Sequence, residues 1–151
     1  NFSAKNSVKN NEDFIQVTLS QRYKNMNEAH RQKVIKREIE TWLKEQAVLL
    51  FSDKVNYFSG LLNLYPANIQ VKQYKARWGS CNNQGLLSFN YLLLMTPDWV
   101  IDYVVVHELC HLKHLNHSRQ FWSLVAEFFP RFQEAKSWLK SYQCHLQWPT
   151  L

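Results

Sequence analysis

The run His107-Glu108-Leu109-Cys110-His111 constrains the fold of this chain more than any other feature. Residues four apart share one face of an α-helix, so on a helix His107 and His111 can grip a single metal ion. Glu108 is then turned about 100° around the axis, beside the metal and not on it. That is where the general base of a zinc hydrolase has to sit. A helix through residues 107–111 is therefore expected, with its histidine-bearing side open to a site.

Four of the six histidines fall between positions 107 and 117. A catalytic zinc needs three protein ligands and one open position. His114 continues the stripe, but about 10 Å along the axis from His107, too far to share one tetrahedral ion. The third ligand should come from beyond a bend. Asn116 tolerates the left-handed conformation that ends helices, and His117 follows it. The spacing of His107, His111 and His117 is that of the long H-E-x-x-H-x-x-G-x-x-H pattern, with His114 in place of its Gly. Glu127 and Glu134 are rival third ligands. A closed structural zinc, completed by Cys81, Cys144 or His145, is the competing reading, and it would leave Glu108 without a task. Cys110 points away from the His107 direction and is expected to be a buried thiol.

At 151 residues, 46% hydrophobic and 15% aromatic, the chain reads as one packed globular domain. No apolar run approaches the roughly 18 residues of a membrane span, and no membrane partner is expected. No signal peptide is visible. Three cysteines without C-x-x-C spacing fit a reducing compartment, so a cytoplasmic location is expected. The net charge of +6 permits an acidic partner such as nucleic acid. The basic residues are scattered, which favours a solvated surface over a nucleic-acid face.

Residues 1–26 form a polar N-terminal segment with at most one short strand, at Phe14–Leu19, ahead of a domain at 27–151. From about Asn27 apolar residues recur at three- and four-residue steps toward Leu62, in one long helix or two meeting near Ser52-Asp53. Gly60, Asn63 and Pro66 mark its end. Ile69–Tyr74 alternates as a half-buried strand. Asn82–Gly85 reads as the turn of a hairpin ending at Ser88-Phe89-Asn90. Thr96 as N-cap and Pro97 at the first position start a helix running to about His114. Further helices are expected from about Ser118 to Phe129 and from Arg131 to Cys144, with Ser118 as a cap.

Tyr74–Cys81, with its Arg-Trp-Gly-Ser-Cys, then Ser88-Phe89-Asn90, Val104–Ser118 and Phe121-Trp122 together resemble the YgjP-like metallopeptidase family, itself similar to the SprT-like and WLM zinc proteases. The resemblance covers about residues 30–143. It implies an α+β fold of the minimal zincin kind, with a small antiparallel sheet packed on a long N-terminal helix and the H-E-x-x-H helix, and further C-terminal helices. It also implies one zinc ion held by His107, His111 and His117, with Glu108 as catalytic base. Members of that family usually carry a longer β-rich region before the long helix than this chain is expected to have.

The function expected is zinc-dependent hydrolysis of a peptide or unfolded protein, with water activated by zinc and Glu108 attacking the peptide carbonyl. Arg77, Asn90 and His114 are the candidates for contacting substrate or transition state. The strand at Ser88–Asn90 is a candidate edge for pairing with an extended peptide. For Arg77–Cys81 the alternative is structural: Trp78 in the core, and Gly79 where a side chain would clash. Two other functions compete. One is a nucleotide pyrophosphatase or phosphohydrolase, against which stand the missing Gly-rich phosphate loop and second-metal carboxylates. The other is a DNA-associated SprT-like module.

Overall fold

The computed structural model describes residues 2–74 and 76–142. Cys144 and His145, and with them the expected end of the last helix, lie outside the described residues. The chain divides into two compact units, residues 1–46 and 47–151.

The first unit opens with three strands, β1 (Phe2–Ser3), β2 (Ser7–Asn10) and β3 (Ile15–Ser20). β3 lies between the others, parallel to β1 and antiparallel to β2. This corrects the expectation of at most one strand before residue 27. β2 is Ser-Val-Lys-Asn and mostly exposed, so its only signal is backbone pairing, which leaves no hydrophobic alternation to read. Asn6 secures the sheet: its Oδ1 accepts from Ser20 N at 2.7 Å and its Nδ2 donates to Glu38 at 2.8 Å. Leu19, Tyr23 and Val34 form a small core with Val17, Met26 and Ile35.

Helix α1 (Glu28–Leu62) is one unbroken helix through Ser52-Asp53. Its stretch in the second unit buries Ala47, Phe51, Val55, Phe58 and Leu62, a three-four stripe. The helix stops where Asn63 takes φ +54°, and Leu64 N donates back to Ser59 O, as in a Schellman cap.

In the second unit a sheet follows of β4 (Asn68–Lys72), β5 (Gly79–Cys81) and β6 (Leu86–Asn90), in the order β4-β6-β5. The hairpin forms as expected: β5 and β6 are antiparallel. Asn82 Oδ1 accepts from Gln84 N and Leu86 N, and Gly85 supplies the φ of +79° the turn requires. β4 runs parallel to β6, so this sheet is mixed and not purely antiparallel. Central β6 is buried from Leu87 to Asn90, with Phe89 stacked on Phe51 at 4.4 Å. Being paired on both sides, β6 offers no free edge. The expectation that Ser88–Asn90 could pair with a peptide is corrected on that ground, and the outer strand of the hairpin is β5.

Helix α2 spans Asp98–Cys110. Thr96 does not cap it. Its hydroxyl donates to Leu93 O at 2.7 Å, closing the 3-10 turn before the helix, and Pro97 occupies the cap position. Lys54 of α1 pairs with Asp98 at 2.9 Å and Asp102 at 2.5 Å, fixing α2 to the C-terminal part of α1. α3 (Arg119–Phe128) starts at Ser118, whose Oγ accepts from Phe121 N, and α4 (Phe132–Tyr142) follows Pro130. Among the described residues no helix is long and apolar enough to cross a membrane.

Candidate metal centre

α2 is apolar nearly all round. Val100, Val104, Val105, Val106, Leu109 and Cys110 are buried, so packing fixes the helix and with it His107, Glu108 and His111. The helix ends one residue before His111. A turn at 111–113 and a bend at 115–116 then return the chain, so that His117 faces the two helical histidines. Ser118 starts α3 immediately afterward.

The Nε2 atoms of His107, His111 and His117 converge. His117 Nε2 lies 3.2 Å from that of His111 and 3.2 Å from that of His107. Three nitrogens bound at about 2.0–2.1 Å to one tetrahedral ion are separated by about 3.3 Å, so these distances match the edges of such a polyhedron. Among the described residues, these three side chains form a group that could hold a metal ion. The rival ligands stand elsewhere: Glu134 pairs with Arg131, and Glu127 is exposed.

Proton placement agrees. His111 Nδ1 lies 2.9 Å from the carbonyl of His114, which can only accept, so Nδ1 carries the proton and Nε2 a bare lone pair. His114 thus orients the His111 ring through its backbone carbonyl. His107 Nδ1 lies 3.2 Å from Tyr103 Oη. Burial, and after it the His111, His117 and Lys136 charges, push His107 down to about 3. Burial also lowers His111. Both shifts favour the neutral ring, the form that can bind a metal ion.

Aromatic rings wall the triad. Phe121 stacks on His111 at 4.4 Å, and Trp122 stacks on His117 at 5.8 Å. Nothing in the histidine spacing pointed to Tyr103, although it lies one turn before His107 on the same face. Burial, then the Glu108 charge, push its phenol above the usual range, so the hydroxyl is protonated. Groups that hold a ligand histidine's second nitrogen set its orientation. Tyr103→Phe is expected to weaken metal binding about 10- to 100-fold, measured by chelator competition.

Glu108 sits beside the triad, 5% exposed, with Oε2 lacking any hydrogen-bond partner. Burial pushes its carboxyl up to about 8, with Arg77 pulling the other way. A buried carboxylate without a partner is costly, and a cation with its water next to it is the compensation this geometry offers. Gly79 of β5 lies directly over it: a Cβ there would come within 2.8 Å of Glu108 Oε1. The expected clash at Gly79 is therefore with Glu108 itself. Trp78 is half-buried and lines a hollow with Arg77, Tyr103 and Glu108; it is not a core residue.

Two of the candidate contacts, Arg77 and Asn90, separate. Arg77 lines the hollow with His107 and Glu108. Asn90 is 3% exposed, and its side chain is taken up by backbone: Nδ2 donates to Tyr74 O and Arg77 O, and Oδ1 accepts from Leu92 N. It holds the loop that presents Arg77, which corrects the expectation of a contact with substrate. Cys81 is outside the histidine group that could hold a metal ion, and burial, then the Glu108 charge, raise its thiol to about 11. Cys110 is the buried thiol expected, pushed up to about 12 by burial.

Residues 4–142 match the family described as YgjP-like, metallopeptidase domain. None of the curated proteins compared matches the chain. Among solved structures, the metallopeptidase zymogen abylysin of Pyrococcus abyssi is similar over 62% of this chain and 95% of its own, at 22% identity and a TM-score of 0.55. The metallopeptidase zymogen jannalysin of Methanocaldococcus jannaschii is similar over 60% and 94%, at 23% identity and 0.53. At these identities the likeness is one of fold.

Proposed function

The chain belongs to the YgjP-like metallopeptidase family, and from that premise we propose that it is a zinc-dependent peptidase with His107, His111 and His117 as metal ligands and Glu108 as general base. The observation that carries the reading is His117 Nε2 standing 3.2 Å from the Nε2 of both His107 and His111, beside a buried carboxylate oxygen without a partner. Zinc bound there supplies Lewis acidity, polarising a carbonyl and acidifying water.

The remaining work belongs to the chain's own residues. Glu108, held between α2 and Gly79, takes a proton from the attacking water and returns it to the departing amine. Arg77 is the cation placed to face negative charge developing on the former carbonyl oxygen. Tyr103 and the His114 carbonyl fix two ligand rings. The outer edge of β5, which carries Gly79, is the strand proposed to pair with an extended peptide.

Gly79→Ala tests the placement of Glu108. The new methyl displaces the carboxylate, and misplacement by about 1 Å costs on the order of 100-fold in turnover. Metal content measured on the same sample is expected to stay at the wild-type value. The function itself is tested by offering the zinc-loaded protein an unfolded polypeptide and a panel of nucleoside triphosphates. Peptide-bond cleavage that a chelator abolishes is the expected result. Phosphate or pyrophosphate release without peptide cleavage would overturn it.

A further inference from the structure

Resting on the peptidase reading, we propose that the cleft running from Glu108 to α4 is a subsite for a carboxylate of the peptide substrate. Two adjoining hollows make it. The first, about 210 Å³, lies against Glu108 and His107, with apolar walls from Trp78, Tyr103, Val104 and Leu139 and Arg77 at its side. The second, about 380 Å³, shares Trp78, Tyr103 and Leu139 and adds Lys136 and Lys140 from α4.

The charges are one-sided. Arg77, Lys136 and Lys140 line the two hollows, and the sole acid among their described lining residues is Glu108. The acids nearest in sequence on the C-terminal helices are placed elsewhere, Glu134 in a pair with Arg131 and Glu127 exposed on α3. Lys136 Nζ stands 4.1 Å from the Trp122 ring, which in turn stacks on His117. That cation–π contact holds an ammonium one ring away from the metal ligands. A side chain entering past Glu108 meets the apolar walls of the first hollow and then the Lys136 and Lys140 ammoniums of the second. Glutamate and aspartate have that shape and charge; lysine and arginine are repelled. The same cations would receive the terminal carboxylate of a chain cut near its C-terminus.

The test uses matched peptides differing at one residue, Glu, Gln or Lys, each with a free or an amidated C-terminus. Binding to the zinc-loaded Glu108→Gln protein is measured by calorimetry, and cleavage by the wild type is measured in parallel. The Glu peptide is expected to bind and to be cleaved about tenfold better than the Lys peptide, with the margin shrinking as salt is added. If the carboxylate recognised is the chain terminus, amidation removes the advantage; if it is a side chain, amidation leaves it. Lys136→Glu and Lys140→Glu, checked for unchanged zinc content, are expected to invert the Glu-to-Lys ratio, which a purely structural role would not do. Cleavage that ignores charge in both proteins overturns the subsite alone. No binding and no cleavage of any peptide overturns the subsite together with the peptidase reading.

Discussion

Glu108→Gln is expected to lower kcat on a peptide substrate about 100- to 10,000-fold while the protein keeps its metal. The amide matches the carboxylate in shape, so it still fits under Gly79, but it cannot take a proton from water. KM should move little, because the loss falls on the reacting step. Steady-state kinetics beside metal analysis read both quantities. The same substitution has a second signature in the metal-free protein. The Glu108 carboxyl titrates at about 8, above its unfolded value, because burial penalises the charge. Between the unfolded and folded values the folded state binds the extra proton, so stability is lost as pH rises toward 8. Removing the ionisable group abolishes that loss. Metal-free Glu108→Gln should therefore be more stable than wild type at pH 9, on the order of a few kcal/mol, with the gain vanishing near pH 5. Denaturant unfolding at the two pH values measures it. An equal gain at both would mean that Glu108 is not buried as a charge.

His117→Ala is the second large effect. Structural zinc sites with four protein ligands are worth about 10–16 kcal/mol, roughly 3 kcal/mol per ligand, so losing one of the three here should lower affinity by at least roughly 100-fold. The alanine also removes the ring on which Trp122 stacks, but His117 is exposed, so the fold should survive. Turnover at limiting zinc should disappear, and excess zinc should restore part of it. His114→Ala is the internal comparison. Its carbonyl, not its ring, holds His111, so metal affinity should change far less.

The contrast between those two histidines shows how far the residues alone can be read. The rise of a helix excludes His114 as a third ligand and points past Asn116, where His117 lies against the two helical histidines. Helix α1, the hairpin at Asn82–Gly85 and the Ser118 cap were equally readable, because each rests on local periodicity or local hydrogen bonding. What escaped was non-local. β1 and β2 carry almost no apolar pattern and exist through pairing with β3. The parallel partnership of β4 with β6 depends on a crossover that spacing does not encode. Asn90 reads as a polar group near a site, yet three backbone partners from two segments consume it. Tyr103 and the stacking of Phe121 and Trp122 are visible only once α2 and α3 are side by side.

The most direct measurement is zinc K-edge X-ray absorption on the protein loaded with one equivalent of metal. Three imidazole nitrogens at about 2.0–2.1 Å with one light oxygen scatterer is the predicted shell, an open catalytic position held by His107, His111 and His117. A sulfur scatterer at about 2.3 Å, or a fourth protein ligand in place of the oxygen, would make the site a closed structural zinc and contradict the account.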